Sequence, residues 1–572
     1  MKPIPCAFVA LLLGVLLFAG ETVATPALDA SIGFSSSVVA REYAPAYVTL
    51  TGLPAGFNGT VRVIQHIGTL SEDPDVVIND IASGELENGQ LVGTIPVYDP
   101  LNPVAVQLLN AAGETVAQEE LNLRLFTRTT SFPLVVGETI SLGGSEVRVD
   151  ATHLPLDWWA YEAIASIWIS GATLGSEGWE TIARWVYVGG SVVVFTGSDY
   201  FRVDSSILQE MFPTGLAVLR TLDDGTERLD IGAPGAAVSE ISAQDGTVLA
   251  YQRAYGAGTV TLVPVRASDM SEEAIRELGE DVPSTRVLSL TSYGTTYHGS
   301  IRVPRPPYLV APIMALALIG CAALLRYASN ERGAKPHQGM VMAVGITIGV
   351  LVGASVFAGL YTNREKQLIE LYQLDIVVNL QQVHGISIGY SAFFAFASTL
   401  DVEVEREGLS APAHSLLKTV AGAEFSSLAS SQLYEFSLQA SEFREVRVYG
   451  APRQLITFDV NDAETLVSVS NYTSVPITTA LLVVDGMMYR LPNIVEGDQT
   501  IALPEAQAVQ LIWSVKEYGS LLQEVTREYG VQESGSWLIL VSDDTRFAPG
   551  TFVPRKVRHL ELYVVAAEEV SG

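Results

Sequence analysis

Apolar and polar positions follow several different patterns along this chain. From about residue 26 to 128 they alternate in short stretches broken by Gly, Pro and Asn. Tyr47-Val-Thr-Leu, Thr60-Val-Arg-Val-Ile, Gln90-Leu-Val-Gly-Thr-Ile and Val104-Ala-Val-Gln-Leu show it best. A two-residue period puts apolar side chains between two sheets and polar ones in water, so residues 25–129 are expected to form a β-sandwich. Near Phe132 the pattern becomes continuously apolar. Pro133-Leu-Val-Val-Gly, Ala165-Ser-Ile-Trp-Ile-Ser and Ser191-Val-Val-Val-Phe-Thr read as strands buried on both faces, and residues 176–187 as a helix stopped by Gly189-Gly190. Strand, helix and strand joined by short connections predict an α/β domain with a parallel sheet over 130–300.

Two uncharged apolar runs follow, 308–325 and 340–360, separated by a short polar link. At a helical rise of ~1.5 Å per residue they reach roughly 27 and 31 Å, close to the thickness of a bilayer's hydrocarbon core. The expectation is a transmembrane hairpin: helices at 306–326 and 339–361 and a cytoplasmic loop at 327–338. That loop carries Arg326, Arg332 and Lys335 against Glu331 at its margins, in line with the excess of positive charge on cytoplasmic loops. Residues 1–24 have a basic start, an apolar stretch and small residues at the end, the form of a secretory signal. The leader and hairpin together predict a two-pass protein of the cytoplasmic (inner) membrane, with both large blocks outside. Residues 370–572 read as a second β-rich block, with strands such as Val446-Arg-Val-Tyr, Leu455-Ile-Thr-Phe and Leu466-Val-Ser-Val-Ser.

The run Leu154-Pro-Leu-Asp-Trp-Trp-Ala-Tyr-Glu-Ala, then Ser166-Ile-Trp-Ile-Ser and Trp185-Val-Tyr-Val-Gly-Gly-Ser-Val-Val-Val, resembles the class I glutamine amidotransferase-like domain of bacterial membrane proteins. Tyr255-Gly256-Ala257-Gly258 resembles the turn before that domain's last strands, and residues 471–486 resemble the carboxy-terminal sandwich of the same proteins. The resemblance implies a flavodoxin-like α/β domain and a C-terminal β-sandwich. The expected fold class is therefore multidomain, α/β plus all-β, with the helical hairpin between its blocks. Active members of the superfamily use a Cys on a sharp turn after a strand, with a His and an acid beyond it. Here the turn after Ser191–Phe195 reads Thr196-Gly197-Ser198-Asp199. The resemblance thus implies a domain that keeps the fold without the thiol chemistry.

Composition narrows the function further. The net charge of −30 over 572 residues argues against nucleic acid, whose phosphates need a basic surface. The two cysteines, Cys6 and Cys321, fall in the leader and the first apolar run, leaving none for disulfides, thiolate metal sites or a nucleophile elsewhere. His66, His153, His298, His337, His384, His414 and His559 show no paired ligand spacing. Asp73, Asp75 and Asp80, or Asp459 with Asp462, lack the order of a calcium loop. Ser198 follows a strand but has the bulky Asp199-Tyr200-Phe201 on one side, where a nucleophile elbow needs small residues; Thr196 is a weaker candidate still. Trp158, Trp159, Trp168, Trp179 and Trp185 read as core of the α/β domain. Gly345, Gly349 and Gly353 share one face of the second apolar run, a helix-packing pattern toward the first run or toward another membrane protein.

The expected function is a non-catalytic scaffold or sensor of the bacterial envelope that binds a protein or glycan and needs no cofactor. Its expected partners are the lipid bilayer and an envelope or membrane protein. One alternative is a subunit of a membrane complex docking through the glycine face, and another is a hydrolase with a site other than Cys.

Overall fold

The structure, a computed structural model, describes residues 25–283 except 41, 68–74, 139, 173, 198–199, 201–204, 215–216, 224, 232–237 and 244–245, together with Arg326. Farther on it describes 369–381, 384–395, 400–406, 409–412, 432–438, 443–450, 456–461, 465–473, 477–485, 487–492, 494–503, 507–508, 536–544 and 556–566. The chain divides into two compact units at residue 289.

The first unit opens with a sandwich. One sheet has the order β1 (Ala27–Ile32), β3 (Tyr43–Thr51), β6 (Gly89–Pro96). The facing sheet has the order β5 (Asp75–Glu85), β4 (Asn58–Ile67), β7 (Val104–Asn110), β8 (Thr115–Leu121). Alternation decides which side chains meet: Val48, Leu50, Val61, Val63, Val106 and Leu108 point inward and are wholly buried. Gln65 is also buried, and its amide is satisfied by donating to the Pro96 carbonyl oxygen at 2.6 Å and accepting the Tyr98 N–H at 3.2 Å. The short strands β2 (Val38–Val39) and β9 (Thr127–Arg128) pair in parallel just before the chain leaves the sandwich.

Next comes a seven-stranded sheet of order β11 (Val147–Val149), β10 (Phe132–Gly137), β12 (Ile164–Ser170), β13 (Ser191–Phe195), β18 (Gly258–Val263), β17 (Val248–Tyr255), β16 (Val238–Ser242). The first five run parallel, and β17 pairs antiparallel with both β18 and β16. Val, Ile and Leu fill β10, β12, β13 and β18 because these strands are covered on both faces, which selects stiff β-branched side chains. Helix α1 (Ser176–Tyr187) links β12 to β13, α2 (Ser205–Met211) follows β13, and α3 (Glu272–Asp281) follows β18 with Ser271 accepting the Ala274 N–H as its cap. Trp179 and Trp185 lie on the inner face of α1 and are fully buried. Trp168 sits 6.0 Å from Phe195 and donates its indole N–H to Ser166 Oγ at 2.9 Å. Truncating any of the three to alanine would cost on the order of 3–5 kcal/mol. Gly258 packs where no side chain fits, since a Cβ there would lie 2.1 Å from the Gly190 carbonyl oxygen. The Tyr255-Gly256-Ala257-Gly258 turn is thus a packing device between β17 and β18.

Sandwich and α/β sheet share a seam. Phe34 stacks at 5.4 Å on Tyr161, whose hydroxyl donates to the Pro155 carbonyl oxygen at 2.9 Å. Ser35 Oγ donates to the Arg148 carbonyl oxygen at 2.7 Å, and Tyr47 donates to that of His153. Asp157 is half-buried along this seam, and burial raises its carboxyl above the usual range, partly offset by the Thr94 hydroxyl.

The second unit pairs β21 (Leu400–Arg406) with β23 (Gln432–Leu438) and holds a nine-stranded sheet of order β22 (Leu409–Pro412), β24 (Phe443–Gly450), β20 (His384–Ala395), β19 (Ile369–Gln381), β32 (Lys556–Ala566), β31 (Ser536–Asp544), β27 (Thr479–Val484), β28 (Met487–Leu491), β30 (Gln507–Ala508). A three-stranded sheet of β25 (Ile456–Val460), β26 (Leu466–Asn471) and β29 (Gly497–Ala502) supplies the other side of its core. Phe458, Val467 and Val469 meet Leu482, Leu538, Leu540 and Val565 there.

The expected fold class and location need correction. The described chain is mostly β-sheet with only three α-helices, and among the described residues no helix is long and apolar enough to cross a membrane. A two-pass inner-membrane protein with a transmembrane hairpin is therefore not supported. The runs at 308–325 and 340–360, the loop at 327–338 and the leader at 1–24 lie outside the described residues, Arg326 apart. The physical reason for the misreading is that hydropathy measures only how apolar a segment is, a property shared by spanning helices and by segments buried in protein.

Candidate functional site

In an open parallel sheet, ligands bind outside the carboxyl ends of the strands, where the order reverses. Here β10 connects outward to β11 on one side, whereas β12 connects to β13 on the other. The reversal falls between β10 and β12, whose ends bring Gly137 and Glu138 beside Ser170 and Gly171.

The ladder holds to its last rung, with the Glu138 N–H donating to the Ser170 carbonyl oxygen at 2.7 Å. Ser170 Oγ, itself buried, donates to Glu138 Oε2 at 3.2 Å, while the Glu138 side chain is exposed. The hydroxyl thus fixes the carboxylate at the mouth. Both turns need glycine: Gly137 and Gly171 have φ of +93° and +60°. A Cβ would lie 2.1 Å from the Ser170 carbonyl oxygen in the first case and 2.7 Å from Glu138 Oε1 in the second. Backbone and the Glu138 side chain therefore pack closely at these two strand ends.

One strand over, β13 ends at the position where a nucleophile would stand. Thr196 is fully buried, and its hydroxyl donates to the Val263 carbonyl oxygen at 2.7 Å. Its N–H reaches the same oxygen at 3.0 Å. This hydroxyl ties two strand ends together. A hairpin of β14 (Ala217–Thr221) and β15 (Glu227–Ile231) lies against this end: the Leu229 N–H donates to the Pro264 carbonyl oxygen at 2.7 Å, and a side chain at Gly197 would meet the Glu227 carbonyl oxygen at 3.1 Å. Ser198 and Asp199 lie outside the described residues.

The other sequence candidates do not converge. Asp80 pairs with Arg62 at 2.6 Å, Asp75 begins β5, Asp459 is exposed on β25, and Asp73 and Asp462 lie outside the described residues. His66 and His153 are exposed on separate segments, while His384 and His559 lie on strands of the second unit; His298, His337 and His414 are outside the described residues. Among the described residues no three His, Cys, Asp or Glu side chains gather as a metal site. Trp158 and Trp159 meet edge to face at 5.9 Å, and Trp158, Trp168, Trp179 and Trp185 are buried as core. Gly345, Gly349 and Gly353, with Cys6 and Cys321, lie outside the described residues.

Sequence reasoning missed Glu138 and Ser170. Each lies at the end of a recognisable strand, but a separation of 32 positions in the sequence hides their adjacency until the strand order is known.

No family model and no curated protein matches the chain. Among solved structures, the exo-β-1,4-mannosidase Op5Man5 from Opitutaceae bacterium strain TAV5 is 13% identical, over 28% of this chain and 34% of that enzyme, with a TM-score of 0.17. The match spans about a third of that enzyme's length, and so low a score carries no argument about fold or function.

Proposed function

We propose that the chain is a non-catalytic binding protein whose α/β domain takes a protein or glycan partner at the carboxyl ends of β10 and β12. The observation that carries this reading is the Glu138–Ser170 pair, held at the point where the strand order reverses. Support also comes from Thr196, whose hydroxyl is spent on the Val263 carbonyl oxygen at the strand end where a reacting group would be needed. The seam with the sandwich braces the domain, so that a partner meets a preorganised surface and little ordering is needed on binding.

The test pairs binding with turnover. The full chain and its Glu138→Arg variant would be applied to peptide and glycan arrays, and incubated with chromogenic ester and glycoside substrates. The expected result is a ligand bound by the parent and lost in Glu138→Arg, a change at an exposed side chain that leaves the core alone. Turnover abolished by Ser198→Ala, or binding indifferent to Glu138→Arg, overturns the reading.

A further inference from the structure

The nine-stranded sheet of the second unit changes character along one face. Leu538 pairs with Val565 and Leu540 with Tyr563, and all four belong to the core shared with the three-stranded sheet. The next row on that face aligns Ser542 of β31, Glu561 of β32 and Asp375 of β19, and the row after it aligns Asp544, His559 and Gln373. Strand register places these six. We propose that this end of the face binds a divalent transition-metal ion, held by His559 with the carboxylates of Glu561, Asp375 and Asp544.

Three observations lead there. First, His559 and Glu561 are two residues apart on β32, so they share a face about 6.6 Å apart along the strand. Asp375 flanks Glu561 from one neighbouring strand, and Asp544 flanks His559 from the other. Imidazole nitrogen and carboxylate oxygen from three adjacent strands make the mixed donor set that such ions take. Second, Ser542 is only 1% exposed, and its Oγ finds no hydrogen-bond partner among the described residues. A hydroxyl removed from water ordinarily keeps a partner. Ser542 shares its row and face with Glu561, where an ion or a water bound to it supplies that partner. Third, Asp375 and Glu561 stand directly opposite each other, a like-charge pairing that destabilises a sheet, and Asp544 adds a third carboxylate one row on. Gly389 and Ser391 of β20, then Val448 and Val446 of β24, continue the two rows, so neither row holds a Lys or Arg from β31 to β24. Arg444 of β24 lies a row further on and two strands beyond β19. A divalent cation balances the carboxylates where they stand.

Competing ligands fit less well. Calcium takes about six to eight oxygen ligands, and an imidazole in the set turns the preference toward zinc and its neighbours. Ser542 is closed to solvent, which favours a small ion over a peptide or a sugar.

Calorimetric titration of the full chain, stripped of metal with a chelator, decides it. The probes are Zn²⁺, Mn²⁺ and Ca²⁺, each alone, against parent, His559→Ala, Asp375→Asn and Ser542→Ala. Melts without metal confirm that each variant is folded, and Asp544→Asn replaces Asp375→Asn should that variant fail to fold. The expected result is one equivalent of Zn²⁺ or Mn²⁺ on the parent, with a melting point that rises as the ion is added. His559→Ala and Asp375→Asn should abolish both effects. Ser542→Ala should weaken binding about tenfold while its metal-free melting point stays that of the parent, since no hydrogen bond is lost. Absence of stoichiometric binding by either transition ion overturns the proposal. So does Zn²⁺ or Mn²⁺ binding that His559→Ala leaves unchanged, or Ca²⁺ binding more tightly than both.

Discussion

The Tyr47 hydroxyl donates to the His153 carbonyl oxygen at 2.8 Å, joining a sandwich strand to the segment that leads into the central strand β12. The two rings also meet, with centroids 6.4 Å apart at a steep angle. Burial pushes the Tyr47 phenol far above its usual range, so the bond stays protonated through any working pH. Tyr47→Phe removes the bond and keeps the ring. The expected loss is about 1 kcal/mol of unfolding free energy, read as a lower urea midpoint with an unchanged slope.

Asp157, on the same seam, gives a pH dependence of known sign. Burial raises its folded-state carboxyl, so the folded chain binds more protons than the unfolded one, and stability falls as pH rises above the usual carboxylate range. The stability tied to its protonated form is present in full at low pH and gone once the folded group ionises. Asp157→Asn should therefore have the higher urea midpoint at pH 7, with the difference shrinking toward pH 3. A variant less stable than the parent at pH 7 contradicts this.

Gly190 lies against the Trp185 indole, and a Cβ added there would come within 2.3 Å of the ring. Trp185 is fully buried, so it has nowhere to retreat. Gly190→Ala should cost about 1–3 kcal/mol by overpacking. Near-ultraviolet circular dichroism should change with it, because the indole must shift.

Thr196→Val separates structure from chemistry at the end of β13. Losing the hydroxyl's bond to the Val263 carbonyl oxygen should cost about 1 kcal/mol, since the Thr196 N–H still satisfies that oxygen. Ligand binding at the ends of β10 and β12 should be unchanged.

The sequence made individual strands legible where side-chain pattern is decisive. Tyr47-Val-Thr-Leu lies inside β3 with Val48 and Leu50 buried, and Ser191-Val-Val-Val-Phe is β13, buried throughout. Helix α1 spans 176–187, because Trp179, Ile182, Trp185 and Val186 recur at helical spacing. The site was not legible, because strand order is set by packing between distant segments. Nothing near Glu138 announces that Ser170 will be its neighbour. The reading of 308–325 and 340–360 as spanning helices went beyond what apolarity alone supports, and the described chain is predominantly β.

The central claim is that ligand meets the carboxyl ends of β10 and β12, and hydrogen–deuterium exchange with and without a saturating ligand from the peptide and glycan arrays tests it most directly. The account predicts slowed exchange at the amides of Gly137–Glu138 and Gly171–Ala172, with the sandwich strands unaffected. Protection confined to other segments, with none at these two strand ends, would contradict it.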